Sequence, residues 1–329
     1  MTPQQNAAET EGGGTAASPA PQEIVRVPTE RRNQATYDID RLPTLEILRE
    51  INAEDATVPR AVSAALPELA KAVDLGVEAL RGGGRIHYFG AGTPGRIATM
   101  DAAELPPTFG TEPDAVLAHH AGGATALERA AEGIEDDEEL GRSDTVGLGA
   151  GDLAVGLTAS GRTPYVAGAL RGARRAGAAA VLVSANPDAP LARDADVHVC
   201  VDTGAEVIAG STRMKAGTAQ KLVLNSFSTA VMVRLGRTYS NLMVGVNATN
   251  AKLRGRAITI LAEASGMDED ACAAALSSAR GDTRAALVSL LADVDTTRAT
   301  AELAACDGRV RAALQRIGDG PAGGSGEQG

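Results

Sequence analysis

A chain of 329 residues can bury a large core, and its length favours one large unit with a smaller one beside it. Apolar residues make up 44% of it but aromatics only 2%, with no Trp, so Ala, Val, Leu and Ile must build a core of the kind that helices form over a parallel sheet. A net charge of -11 excludes a broad nucleic-acid or anionic-membrane surface, and no run approaches the roughly 18 apolar residues of a membrane span, so a soluble, cytoplasmic protein is expected.

Residues 1–22 are rich in Gly, Ala, Pro, Gln and Thr, without the basic-then-apolar order of a signal peptide, and are expected to be a disordered tail leading into an N-terminal arm over 23–57. A helical pattern from Val58 to Leu80 (Val62, Leu66, Leu69, Val73, Val77) stops at Gly82-Gly83-Gly84. Strand patterns follow at Arg85 to Phe89, Ala115 to Ala118, Leu153 to Leu157, Ala180 to Val183 and Val197 to Val201, most of them separated by helical segments. Alternation of this kind predicts an α/β fold over 58–247: an open, mostly parallel five-stranded sheet with helices on both faces and its ligand site at the carboxyl ends of the strands. After a long helix from Lys215 to Leu235 the strand signal is lost. Residues 248–317 read as a small helical domain of three or more short helices, broken at Ser265-Gly266-Met267, at Arg280-Gly281-Asp282 and near Asp293 to Asp295, with a disordered tail over 318–329. Cys200, Cys272 and Cys306 lack metal-ligand spacing and read as core thiols, so no metal site is expected.

Three strand-to-helix loops could hold an anion. Gly90-Ala91-Gly92-Thr93-Pro94-Gly95 fits a dinucleotide fingerprint, but the next strand ends in His119-His120-Ala121-Gly122-Gly123 instead of a carboxylate, which argues against a dinucleotide cofactor. Its glycines still admit a close anion at a helix N-terminus, and a tight turn alone would need the same residues. Thr158-Ala159-Ser160-Gly161-Arg162-Thr163 gathers hydroxyls, backbone N–H groups and a guanidinium in a way that suits a phosphomonoester, although helix capping by Ser160 or Thr163 would also explain it. The third loop, Gly210-Ser211-Thr212-Arg213-Met214-Lys215, has the same two readings. Gly92, Thr93, Thr158, Ser160, Gly161, Arg162, Thr163, Ser211 and Lys215 are the candidate phosphate-binding residues. His119 and His120, adjacent on a strand, face opposite ways and take no joint role.

These loops resemble the sugar isomerase (SIS) domain, and the span from Thr29 to about Asp293 resembles the N-acetylmuramic acid 6-phosphate etherases. The resemblance rests on Thr29-Glu30, Ile51-Asn52-Ala53-Glu54-Asp55, Asp101-Ala102-Ala103-Glu104 with Pro106-Pro107-Thr108, Glu132-Gly133-Ile134-Glu135-Asp136-Asp137, Ala159 to Tyr165, Gly210 to Lys221 and Asn241-Leu242-Met243. One departure is Pro94, where that family usually has Ser.

The resemblance implies a cofactor-independent, metal-free reaction on a small-molecule sugar phosphate: removal of the D-lactyl ether of N-acetylmuramic acid 6-phosphate by elimination and water addition, in a homodimer. It assigns Glu104 as the proton donor and Glu135 as the base. Glu104 is expected to end a helix before Leu105-Pro106-Pro107, where the helix dipole and partial burial would raise its pKa. On spacing alone, Glu128, Glu132, Glu135 and Glu139 form one stripe of a solvated helix, and Glu104 reads equally as a structural carboxylate. The competing functions are a non-catalytic sugar-phosphate sensor, which needs neither glutamate, and an aldose-ketose phosphosugar isomerase, which can work with one base.

Overall fold

Five short strands, β1 (Ile86–Gly90), β2 (Val116–His120), β3 (Leu153–Leu157), β4 (Ala179–Ser184) and β5 (Val197–Cys200), form one all-parallel sheet in the order β2-β1-β3-β4-β5. The structure is a computed structural model that describes residues 27–129, 133–245 and 251–319. Alternation along the strands decides which face each side chain joins. Ile86 and Tyr88 of β1, Leu153, Val155 and Leu157 of β3, and Val181 and Val183 of β4 enter one core layer, while Phe89, Ala154, Ala180 and Leu182 enter the layer on the opposite face. Both faces are covered, which is why these strands read as continuous apolar runs.

The helices in chain order are α1 (Thr44–Asp55), α2 (Val58–Arg81), α3 (Thr93–Phe109), α4 (Gly123–Glu128), α5 (Glu138–Ser143), α6 (Pro164–Arg175) and α7 (Lys215–Arg234). α2, α3 and α7 cover the first face and α6, with α5 behind it, the second. α6 comes close because Gly156 of β3 offers no side chain where Val166 and Leu170 pack; a Cβ there would lie 2.7 Å from Val166 Cγ1. α1 has no buried residue, and its Leu45 and Leu48 are more than half exposed.

The remaining helices are α8 (Ala251–Ser265), α9 (Glu269–Ser278), α10 (Thr283–Ala292), α11 (Thr296–Ala304) and α12 (Val310–Asp319). They form a core of their own around Leu261, Cys272, Leu287 and Ala299. Each expected break falls between two of them. Gly266, Gly281 and Asp293 take left-handed backbone, and Asp268, Asp282 and Asp295 then cap α9, α10 and α11 by accepting from first-turn N–H groups. α12 carries the chain through Gly318 and Asp319, two residues past the expected start of the tail. The rest of that tail and residues 1–22 lie outside the described residues.

Two expectations about local structure are overturned. Glu104 does not end a helix: α3 continues to Phe109 and is closed by Gly110 at φ 61, so Glu104 is interior to it, and exposed. Leu105 and Phe109 are buried in the core, and that packing carries the helix through Pro106 and Pro107 despite the N–H groups they lack. Nor do the acidic residues from Glu128 to Glu139 share a helical stripe. α4 ends at Glu128, Gly133 adopts φ 73, Glu135 sits in a short 3-10 turn (Ile134–Asp136), and α5 starts afresh under an Asp137 cap; Glu132 lies outside the described residues.

Candidate active site

The sheet order places β2 and β3 on opposite sides of β1, so the chain reverses direction across the sheet between β1 and β3. In an open parallel sheet this switch point leaves a crevice at the carboxyl ends of the strands. The loops after β1 and β3 meet there and line a cavity of about 690 Å³, large enough for a phosphorylated sugar.

The loop after β3 is held rigidly. Thr158 Oγ1 and Thr163 Oγ1 share a hydrogen bond at 2.7 Å, Gly161 N–H donates to Thr158 Oγ1 at 3.3 Å, and Arg162 N–H donates to Ser160 Oγ at 3.3 Å. Asn186 Nδ2 donates to the Ser160 carbonyl at 2.8 Å from the next strand-end loop. Gly161 has φ 69, and a Cβ there would lie 2.3 Å from Ala189 Cβ, so only glycine fits. Thr158, Ser160, Arg162 and Thr163 all face the cavity at the start of α6.

Across the crevice, Gly92 caps α3 with φ 60, and Gly92, Thr93 and Pro94 line the cavity. Pro94 stands in the first turn of α3, where its missing N–H leaves no helical hydrogen bond unmade. His120, at the end of β2, brings Nε2 within 3.2 Å of the Gly92 carbonyl and Nδ1 within 2.9 Å of the Ala121 carbonyl. His119 turns to the other face, stacked between His87 and Phe89. Burial lowers the pKa of His87 to about 4 and lowers that of His119 as well.

Of the two assigned glutamates only Glu135 lines the cavity, carried on the 3-10 turn that Ile134 anchors against the core. Glu104 does not. It lies eleven residues beyond Thr93, about 16 Å down α3.

The third loop behaves differently from the other two. Gly210 and Thr212 reach the cavity, but Ser211 and Lys215 are not among its lining residues. The N-terminus of α7 is already occupied by the fully buried Glu206, whose carboxylate accepts from Lys215 N–H at 2.8 Å and Ala216 N–H at 2.9 Å. Burial raises the Glu206 pKa, with those two N–H groups and the Lys215 charge opposing it. Lys215 is 3% exposed and its Nζ lies 2.6 Å from Glu54 Oε2. An anion therefore meets neither a free helix end nor a free Lys215 there, and the third loop serves to dock the N-terminal segment onto α7.

That segment supplies residues the loop reading missed. Thr29 and Glu30 line the cavity, Thr29 is 1% exposed, and its Oγ1 has no hydrogen-bond partner among the described residues. Both belong to the stretch that carried the family resemblance, which was the available signal. Arg171 also lines the wall but is bound to Glu138 at 2.7 Å and Asp194 at 3.0 Å. The cavity thus brings the hydroxyls of Thr29, Thr158, Ser160 and Thr163 together with the carboxylates of Glu30, Glu135 and Asp136. Among the described residues, no group of three or more His, Cys, Asp or Glu side chains is gathered as metal ligands would be.

An all-parallel five-stranded sheet with this pair of loops at its switch point defines an SIS-type α/β protein. Residues 134–230 match the SIS domain, and residues 68–174 match the glucokinase regulatory protein N-terminal SIS domain. A phosphoheptose isomerase of Francisella tularensis aligns with 58% of this chain and 100% of its own at a TM-score of 0.48 and 16% identity. At the level of sequence, an N-acetylmuramic acid 6-phosphate etherase of Thermobifida fusca (strain YX) is 73% identical over 272 residues, covering 83% of this chain and 90% of its own. One from Symbiobacterium thermophilum is 52% identical over 273 residues, covering 83% and 91%. The chain belongs to the N-acetylmuramic acid 6-phosphate etherase family.

Proposed function

We propose that this protein cleaves the D-lactyl ether of N-acetylmuramic acid 6-phosphate, with water, to N-acetylglucosamine 6-phosphate and D-lactate, as a cytoplasmic enzyme of cell-wall amino sugar recycling. The observation that carries the reading beyond family membership is the presence, in one cavity, of Thr158, Ser160, Arg162 and Thr163 at the start of α6 and of Glu135.

The phosphate is bound by the Ser160 and Thr163 hydroxyls and the N–H groups at the start of α6, supported by the positive end of that helix. The sugar then extends across the crevice toward Glu135 and the Thr29 hydroxyl. In the open-chain sugar the C2 hydrogen is acidified by the C1 aldehyde. Glu135 removes it, the C3–oxygen bond breaks, and the lactyl oxygen leaves with a proton supplied by Glu104. Water adds to C3 of the resulting unsaturated aldehyde while a proton returns to C2, so the net change is one water consumed.

Glu104 reaches this chemistry only from a second copy of the chain. Its helix face also carries Met100, one turn earlier and 46% exposed, and α1 presents Leu45 and Leu48, each more than half exposed. A two-fold pairing that buries these apolar side chains brings Glu104 of each copy to the cavity of the other. It also excludes water from both glutamates, which are exposed in the single chain.

The test is release of D-lactate from N-acetylmuramic acid 6-phosphate by the purified protein. Loss of about a hundredfold or more in Glu104→Gln and in Glu135→Gln supports paired acid-base catalysis. A folded protein that binds the sugar phosphate and releases no lactate overturns the reading in favour of a sensor.

A further inference from the structure

At the far end of α7 from the active site lies a second cavity that the etherase chemistry does not use. It has a volume of about 520 Å³ and lies where the ends of α2 and α7 meet α10 and α11. Four arginines line it, Arg81, Arg237, Arg284 and Arg309, against two carboxylates, Asp282 and Asp307. α7 begins beside the active-site cavity and ends beside this one, and its twenty residues separate the two by about 30 Å. In a chain of net charge -11, four guanidiniums around one hollow run against the overall balance.

The contacts these arginines make are long. Arg284 Nε is 3.8 Å from Asp282 and Arg309 Nη2 is 3.8 Å from Asp307. Arg81 reaches the Arg234 carbonyl at 3.4 Å and Arg237 the Gly110 carbonyl at 3.5 Å. Only Arg309 adds a shorter bond, from Nε to the Cys306 carbonyl at 3.1 Å. Among the described residues these contacts occupy one or two of the five N–H groups on each guanidinium. Asp282 is itself committed to capping α10 through Arg284 N–H and Ala285 N–H. Burial and then the neighbouring Arg284 charge push the Arg237 guanidinium below its ordinary pKa, and the opposing Glu112 and Asp282 do not cancel them. Positive potential therefore remains in the hollow, and Leu80, Leu235 and Leu303 give it an apolar wall.

We propose that this arginine-lined cavity is a second ligand site, separate from the active site, that binds a small phosphorylated anion. Guanidinium forks match phosphate oxygens two at a time, and the volume suits a single metabolite of that kind. An anion there would relieve the repulsion between Arg237 and Arg284 and use the N–H groups that the protein leaves over. The leucine wall would take the uncharged part of the ligand.

The site is tested by calorimetric titration of the full chain with inorganic phosphate at low ionic strength. Wild type is expected to show two sites. Ser160→Ala/Thr163→Val removes the one at the active site, and Arg237→Gln/Arg284→Gln weakens the other by tenfold or more. If the second pair of substitutions does not fold, as judged by its melting transition, Arg81→Gln/Arg309→Gln at the exposed rim replaces it, with the same expected loss. An isotherm unchanged by the arginine substitutions overturns the proposal, as does complete loss of phosphate binding in Ser160→Ala/Thr163→Val. Neither result depends on whether lactate is released, so this proposal and the etherase reading fail separately.

Discussion

If each active site takes Glu135 from one chain and Glu104 from another, two inactive variants should rescue each other. The premise is geometric: Glu135 lines the cavity, whereas Glu104 is about 16 Å along α3 from the loop that lines it, far beyond the reach of a glutamate side chain. Purified Glu104→Gln and Glu135→Gln, mixed in equal amounts and allowed to exchange subunits, give half of all dimers with one chain of each kind. In such a mixed dimer one site lacks both carboxylates and the other has both intact, so the mixture should recover about a quarter of wild-type activity. D-lactate release measures the activity, and native mass spectrometry of size-tagged chains measures the mixed dimers. Recovery no higher than either parent, with mixed dimers present, would show that both glutamates serve one site within a chain. Lactate release by a monomeric wild type would refute the reasoning equally.

Four further outcomes follow from the geometry. Removing a hydroxyl by Ser160→Ala should raise KM for the sugar phosphate by about 10- to 100-fold, the worth of a hydrogen bond to a charged group, with a smaller change in kcat. Gly161→Ala meets both a left-handed φ and the Ala189 side chain, so it should cost about 2 kcal/mol or more in chemical denaturation and lower the melting temperature. Pro94→Ser restores a hydroxyl and an N–H in the first turn of α3 without removing any helical hydrogen bond, so KM should fall a few-fold while stability shifts by less than about 1 kcal/mol. Burial pushes the Asp101 carboxyl up from 3.8 to about 6, against hydrogen bonds donated by Ser228 and Tyr88. The folded chain therefore holds that proton more tightly than the unfolded chain. Stability falls as pH rises through this window, by about 3 kcal/mol in all, and denaturation curves of Asp101→Asn should lose that slope.

The five strands and the breaks between the C-terminal helices were legible because each rests on a local cause. A strand buried on both faces shows as an apolar run, and a helix stop shows as Gly followed by a capping Asp, as at Gly266 to Asp268 and Gly281-Asp282. That the loops after β1 and β3 line the crevice was legible for the same reason, since glycine and hydroxyl residues between a strand and a helix mark a turn at the carboxyl end of the sheet. Where the reading failed, a distant contact decided the outcome. Leu105 and Phe109 reach the core and carry α3 past Pro106 and Pro107, and Glu206 fills the helix end that Ser211 and Lys215 were expected to offer. Lys215 looked like a phosphate ligand because its partner Glu54 lies 161 residues earlier, and no local pattern joins them.

The harder limit concerns Glu104, whose identity the family resemblance supplied while its place in the site stayed open. Sequence similarity selects residues that act together without saying whether they act within one chain. The folded chain narrows this. Glu104 and Met100 share an exposed face of α3, Leu45 and Leu48 of α1 are more than half exposed, and Glu135 lines a cavity that Glu104 of the same chain does not reach. Exposed apolar side chains are common, and a cavity needs no second glutamate. One event would account for them together, the proposed two-fold pairing, which would cover the apolar side chains and bring Glu104 to the partner's cavity. Substitutions on that face should therefore impair catalysis as well as association. Met100→Glu, one helical turn from Glu104, is expected to shift the protein to a monomer by light scattering and to abolish lactate release, while phosphate binding at Ser160 and Thr163 persists. A monomer of Met100→Glu that keeps its activity would mean that the acid is found within the chain and that Glu104 is not it.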